Sequence, residues 1–302
     1  MNERHASRTA LLVAAYRARA SRREGALISD PWAAGLAGDD GEALAAKVDA
    51  FLNERELWIA VRTAWLDEHV LRWIRDHATP EGAAPAAPAA PAQVVVLGAG
   101  LDARAARLAH EGVRFFEVDQ PATQAEKLAR IAQLPGYPEH AATYVTCDFE
   151  KDDFLDRLAK SGFDPSSPAL VLWEGVTYYL PEPAVRATLR RIATGCDPRS
   201  VVLFDCFTRS FVDGSTRAAA DQQARELVEE LGERFVWGSN DPLPLLYEEG
   251  FRHVRSVSFD EACLSLTGTY RRERQFRFQR LVLASVTPPA REKGLGAVSA
   301  SR

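Results

Sequence analysis

Between residues 56 and 77 the apolar positions Trp58, Ile59, Val61, Trp65, Leu66, Val70 and Trp73 recur every three or four residues, the spacing of an amphipathic helix with one buried face. The chain up to residue 78 reads as a helical region. An Ala/Pro repeat then runs from 79 to 92, where repeated proline forbids helix and favours an extended surface linker. Beyond it, short apolar runs predict strands at 93–97, 113–118, 143–146, 169–173 and 200–205. Helical stretches predicted at 102–110, 124–133, 152–160 and 182–194 separate them. Strands spaced by single helices imply right-handed crossovers, hence an α/β fold with a parallel sheet covered on both faces.

The end of the chain follows a different rhythm. Residues 208–240 read as a charged helical insertion with its helix at 218–231, and 243–249 as a further helix closed by Gly250. Two strands at 252–259 and 275–286 follow, with no helix predicted between them, so the sheet ends in a hairpin-like antiparallel pair and reaches seven strands. Residues 287–302 read as a flexible tail. Composition narrows the partners: 37 basic against 42 acidic groups give a net charge of -5, which argues against a duplex nucleic acid. Cys147, Cys196, Cys206 and Cys263 are scattered without a C-x-x-C pair, and the six histidines show no metal spacing. No apolar run approaches the roughly 18 residues of a membrane span. The amino terminus lacks a signal-like apolar stretch, so the expectation is a soluble, cytoplasmic chain.

Chemistry is expected at the carboxyl ends of the strands, where ligands of open parallel sheets bind. Four such ends stand in register: Gly98-Ala99-Gly100, Glu117-Val118-Asp119, Cys147-Asp148-Phe149 and Trp173-Glu174-Gly175. Asp119 is suited to accept both ribose hydroxyls of an adenosine, or else to cap the next helix; Asp148 is suited to an adenine amino group, or to a cap. Glu174 faces either the rim or the ligand crevice. Arg62 and Arg17 have no acidic residue at the helical offsets of three and four, so each snorkels or meets a buried anion, and both together suggest a shared carboxylate target. The cluster Arg271, Arg272, Arg274, Arg277 and Arg280 reads as a solvated strand edge rather than a polyanion site. His69, on the helix of Arg62, reads as core-edge packing rather than a base.

Three segments, 95–104, 116–121 and 173–180, resemble the leucine carboxyl methyltransferase family. Arg17-Ala18 with Asp30-Pro31, and Arg62-Thr63 with Asp67, are similar to its amino-terminal motifs. The resemblance implies a class I methyltransferase Rossmann-like sheet and S-adenosylmethionine as methyl donor. The final strand pair fits that architecture better than a dehydrogenase. Implied domains are a helical cap at 1–78, the linker at 79–92, a donor-binding core at 93–286 with the 208–240 insertion, and the tail at 287–302. By position, Arg62 and Arg17 would hold the methionine carboxylate, and Glu174 would lie near the amino group. Gly98 and Gly100 would line methionine and ribose, Asp119 would take the ribose hydroxyls, and Asp148 with Phe149 would face adenine. Bacterial members usually carry Glu three residues after the first arginine, where this chain has Ala20, so Arg17 loses a brace.

A carboxylate acceptor, with a pKa of about 4, needs no base, whereas a phenol near 10 does. No certain catalytic residue stands out, and Tyr178, Tyr179 or His69 are the groups that could assist. The expected reaction is therefore O-methylation of a small-molecule or peptide carboxylate, with the insertion and amino-terminal helices as the lid. Two rivals remain open: an NAD(P)-dependent oxidoreductase, and a non-catalytic S-adenosylmethionine-binding protein.

Overall fold

In the first strand after the linker, Val95 and Leu97 turn to one face and Val94 and Val96 to the other, and all four are buried. A strand buried on both faces belongs in the middle of a sheet covered by helices on either side. The computed structural model describes residues 7–50, 55–78, 91–138, 140–149, 151–216, 218–269 and 276–288. Most of the Ala/Pro linker and nearly all of the tail lie outside those residues, as do Arg271, Arg272 and Arg274.

Among the described residues the strands are β1 (Ala92–Leu97), β2 (Val113–Asp119), β3 (Thr143–Thr146), β4 (Ala169–Trp173), β5 (Val201–Phe207), β6 (His253–Ser258) and β7 (Gln279–Ser285). They form one sheet of order β3-β2-β1-β4-β5-β7-β6. Every neighbouring pair from β3 to β5 is parallel, while β7 runs antiparallel to both β5 and β6. The helices are α1 (Arg8–Ser21), α2 (Ala33–Asp49), α3 (Arg55–His77), α4 (Arg104–Arg107), α5 (Pro121–Ile131), α6 (Phe154–Lys160), α7 (Glu182–Gly195), α8 (Arg209–Val212), α9 (Ala219–Glu230), α10 (Leu243–Glu248) and α11 (Phe259–Thr267). On one face α1, α3 and α11 pack on Val94, Val96, Leu170, Leu172 and Leu203; on the other α6, α7 and α10 pack on Val95, Leu97, Val171 and Phe204. The amino-terminal helices therefore share a core with the sheet. None of the described helices is long and apolar enough to cross a membrane.

Four expectations about the elements need correction. The last two strands are joined by a helix, α11, and not by a direct hairpin. Its signals were present in the sequence: Phe259, Ala262, Cys263 and Leu266 recur at helical spacing, and Ser258 with Glu261 forms a capping box. Gly268 then closes it at φ +65°. The 208–240 insertion is helical only in α8 and α9, and the helix expected over 102–110 is the single turn α4. Finally, β7 is an interior strand, so Arg280 does not lie on a sheet edge, and Arg277 pairs with Asp260 at 2.8 Å.

The cap of α11 is separable from the rest of the fold. Ser258→Ala removes the hydroxyl that accepts from the Glu261 N–H at 3.3 Å and should lower stability by about 1 kcal/mol in urea unfolding. An unchanged midpoint would show that α11 is held by packing alone.

Candidate functional site

The chain moves from β1 outward to β3 and then returns to β4 on the other side of β1, so the switch of strand order falls between β1 and β4. A crevice opens at the carboxyl ends of strands at such a point. Gly98 follows β1 at φ +66°, and a Cβ there would come within 2.4 Å of Val176 Cγ2 in the loop after β4. Gly100, at φ +49°, passes Ala10 of α1 so closely that its Cβ would meet that methyl at 3.3 Å. Only glycine lets this loop thread between β4 and the amino-terminal helix without strain.

Asp119 ends the neighbouring strand. Its Oδ2 accepts from the Gly100 N–H at 2.5 Å and its Oδ1 from the Gln120 N–H at 2.6 Å. It does not cap α5, whose N-cap is Gln120, and Asp148 does not cap α6, whose N-cap is Asp153. Burial raises the Asp119 pKa, although the two N–H groups partly hold it down.

Behind the crevice runs a chain of buried charges. Asp30 Oδ2 lies 3.2 Å from Arg17 Nε and 3.6 Å from Arg107 Nε. Arg107 and Arg104 both reach Asp67, at 2.8 and 2.6 Å. Arg104 also contacts Asp102 and lies 2.6 Å from Glu174 Oε2. Glu174 Oε1 then accepts from Arg62 Nε at 2.6 Å, and Arg62 Nη1 lies 3.6 Å from Asp205 Oδ2. Burial opposes the charge on Glu174, but Arg104 and Arg62 outweigh it and hold its pKa below the usual range. Asp102 is likewise disfavoured by burial and held low by Arg104 and Arg17. Asp205 goes the other way: burial raises its pKa despite Arg62.

In front of these charges lies a cavity of about 590 Å³, within the size range of small-molecule sites. Its wall joins Arg17, Arg62, Gly98, Gly100, Asp119, Phe149, Glu174, Tyr178 and Tyr179, so most of the residues singled out in the sequence meet here. Asp148 is not part of the wall, and its carboxylate lies 2.9 Å from Lys151. His69 is also absent from the wall; its Nδ1 lies 2.8 Å from the Trp65 carbonyl, and burial lowers its pKa.

Another part of the wall is aromatic, and it meets the charges where Arg62 Nη1 lies 3.5 Å from the Tyr178 hydroxyl. Tyr178 stacks on Phe207 with centroids 3.7 Å apart, and Phe211 stacks on Phe278 at 3.9 Å. Burial pushes both the Tyr178 and Tyr179 phenols well above their ordinary value. Leu227 and Val228 of α9 close the cavity from above. Glu233, just beyond α9, accepts from Ser7 Oγ at 2.8 Å and Thr9 Oγ1 at 2.9 Å, tying this lid to the start of α1.

Within the protein each of the two arginines has its own partners: Arg17 is held by Asp30 and the Leu101 carbonyl, Arg62 by Glu174 and Asp205. Asp30 thus supplies a brace for Arg17 in a chain that has Ala20 where a glutamate was expected. Sequence reasoning missed Arg104 and Asp205. Asp205 could have been found by the same sign as Glu174, an acidic residue in the terminal part of a buried strand.

A family profile described as leucine carboxyl methyltransferase matches residues 10–193. A protein of Saccharopolyspora erythraea named "Putative S-adenosyl-L-methionine-dependent methyltransferase" is 34% identical over 290 residues, covering 90% of this chain and 91% of its own. A protein of Mycobacterium avium with the same name is 32% identical over 269 residues, covering 82% and 83%. Among solved structures, a DUF574 family protein from Streptomyces avermitilis aligns with a TM-score of 0.60 at 12% identity, over 90% of this chain and 96% of its own. A methyltransferase structure from Thermobifida fusca, titled "putative", gives 0.57 at 15% identity, over 94% and 96%. At those identities the two structures bear on the fold.

Arg104→Ala should be the most damaging single change in the charge chain. It strips Asp67, Asp102 and Glu174 of a common partner and should cost about 3–5 kcal/mol at neutral pH. Glu174 and Asp102 have folded pKa values below their unfolded ones, so their contribution is complete above about pH 4 and is lost as the pH falls through the depressed values. The deficit of the variant in urea unfolding should therefore shrink on acidification. A deficit independent of pH would mean that packing, not charge, is what Arg104 provides.

Proposed function

Because this chain belongs to the leucine carboxyl methyltransferase family and is an S-adenosylmethionine-dependent methyltransferase, we propose that it transfers the methyl group to a carboxylate oxygen of a small molecule or peptide terminus. Membership of the family sets aside the nicotinamide-dependent oxidoreductase. When bound, S-adenosylmethionine supplies a methyl group already activated by its sulfonium.

The polar end of the cavity suits that donor. Asp119 presents a carboxylate whose two oxygens each take one backbone N–H and retain lone pairs for a ribose diol. Gly98 and Gly100 bring bare backbone to the wall beside it, for the ribose and the methionine, and Phe149 offers a ring to the adenine. Glu174, ion-paired with Arg104 and Arg62, brings its carboxylate to the same wall, where the methionine amino group would lie. Arg62 Nη2 has no hydrogen-bond acceptor among the described residues, which favours the methionine carboxylate. Arg17, engaged by Asp30 and the Leu101 carbonyl, supports that role less directly. Asp148, paired with Lys151, has no part in this scheme.

One observation carries the preference for a carboxylate acceptor. The phenols of Tyr178 and Tyr179 are held protonated at neutral pH by burial, so neither is a base, and no histidine lines the cavity among the described residues. A carboxylate is already anionic and needs only to be held in line with the methyl group, where alignment alone can supply effective molarities of about 10⁵ M or more. The aromatic wall and the lid clasped by Glu233 keep water from that encounter.

Two measurements test the proposal. Asp119→Ala should weaken S-adenosylhomocysteine at least tenfold by calorimetry, since charge-assisted hydrogen bonds contribute about 1.5–3 kcal/mol. Because burial raises its pKa, wild-type affinity should begin to fall on acidification above about pH 3.9, the ordinary aspartate value; unchanged binding in the variant would remove Asp119 from the donor site. With S-adenosylmethionine and a panel of aromatic and aliphatic acids and phenols, methyl esters are the expected products. Ethers without esters would refute the carboxylate reading, and a wholly inert panel would favour the non-catalytic binder.

A further inference from the structure

Arg55 has no place in the scheme above, yet it lines the same cavity. It precedes Trp58 by three positions and Arg62 by seven, so the three side chains rise along one face of α3, with the arginines about 10 Å apart along the axis. Each guanidinium carbon lies 5.3 Å from the Trp58 ring centroid. The tryptophan is itself fixed, because its Nε1 donates to Gln279 Oε1 at 2.6 Å and Gln279 Nε2 donates to Asp205 at 2.9 Å.

The two arginines differ in their compensation. Arg62 is neutralised by Glu174 and Asp205. Arg55 has no carboxylate within ion-pair distance among the described residues; its close contacts are the faces of Trp58 and Phe276, the latter 5.7 Å from its guanidinium carbon. Burial pulls its pKa down to about 10, with Tyr16 and Asp221 acting against that shift, so it remains a cation at neutral pH. Tyr16 gives it no anion either, since its hydroxyl donates to Asp49 at 3.0 Å and burial raises its pKa. A half-buried guanidinium without a counter-ion among the described residues is a costly feature, and here it faces a cavity whose wall includes Phe207, Phe211 and Phe278.

We propose that Arg55 is the acceptor-recognition residue, receiving a carboxylate of a flat aromatic acid whose ring lies along the Phe207–Phe211–Phe278 wall. The planar guanidinium matches a carboxylate with two parallel N–H···O bonds. The rings on which it rests fix its plane beforehand, so little freedom is lost on binding. This inference rests on the reading that the cavity holds donor and acceptor together, and it narrows the acceptor from carboxylates in general to aromatic acids.

Naphthalene-2-carboxylate and its neutral isostere naphthalene-2-carboxamide test it, titrated by calorimetry with and without saturating S-adenosylhomocysteine. The wild-type protein should bind the carboxylate at least tenfold more tightly than the amide, with a preference that weakens as salt is raised. Arg55→Gln should abolish the preference, and Arg55→Lys, which keeps the charge but not the fork, should restore part of it. Equal affinities for acid and amide in the wild-type protein, or a preference that survives in Arg55→Gln, would overturn the proposal. Should Arg55→Gln fail to fold, the acid-over-amide ratio in the wild-type and Arg55→Lys proteins decides the matter: no loss of preference in the lysine variant overturns the guanidinium role. Failure of the wild-type protein to bind S-adenosylhomocysteine would instead overturn the donor reading alone, because the naphthalene titration without it stands independently.

Discussion

Four arginines and five carboxylates, linked end to end and buried, hold the amino-terminal helices against the carboxyl ends of the strands. No member can be lost cheaply, because each leaves a charge in a place where water cannot compensate it. Four members of this charge chain, Arg17, Arg62, Asp102 and Glu174, also line the cavity, and the others stand behind them. Arg62, Glu174 and Arg17 are therefore positioned before any ligand arrives. The anion that a buried arginine demands is supplied first by the protein, so burial of Arg62 alone says nothing about a ligand. What points to one is the donor valence its partners leave over.

The cavity divides by chemistry. One end consists of glycine backbone, Asp119 and the last links of the charge chain; the other is built of stacked rings from the turn after β4, the end of β5, α8 and the start of β7. The same burial that isolates the charge chain raises the pKa of both tyrosines. Trp58 connects the two regions, lying beside Arg55 and Arg62 of α3 and bonded to the glutamine that holds Asp205.

The parallel core was legible because its signals are local. Runs such as Ala169–Trp173 are buried on both faces and read as strands without any knowledge of their neighbours. The ends of elements were less legible: α5 begins at Pro121, where a proline with a fixed φ suits the first turn, although its apolar pattern becomes readable only later. The helix between β6 and β7 was missed even though Ser258 and Glu261 spell out its cap, because a pair of late strands suggested a hairpin. Asp119 and Glu174 could be singled out from their place at strand ends, and both line the cavity. Asp148, chosen by the same rule, does not, and its carboxylate lies beside Lys151.

The order of apolar runs and breakers along the chain determined the class of fold, the position of the glycine turn, and which acidic residues end the strands. These follow from backbone sterics and burial period, which act over a few residues. Tertiary structure decided the pairing of charges: that Asp30 and not a residue of α1 itself braces Arg17, that Arg104 joins three carboxylates, and that Arg55 lies over the rings of Trp58 and Phe276 with no carboxylate at ion-pair distance among the described residues. Some of these pairings are local, as Arg104 with Asp102 two positions away, but others are not: Arg104 meets Asp67 37 positions away and Arg62 meets Glu174 112 positions away. Coulomb energy in a water-excluded interior depends on distances of a few ångströms, which no local pattern encodes.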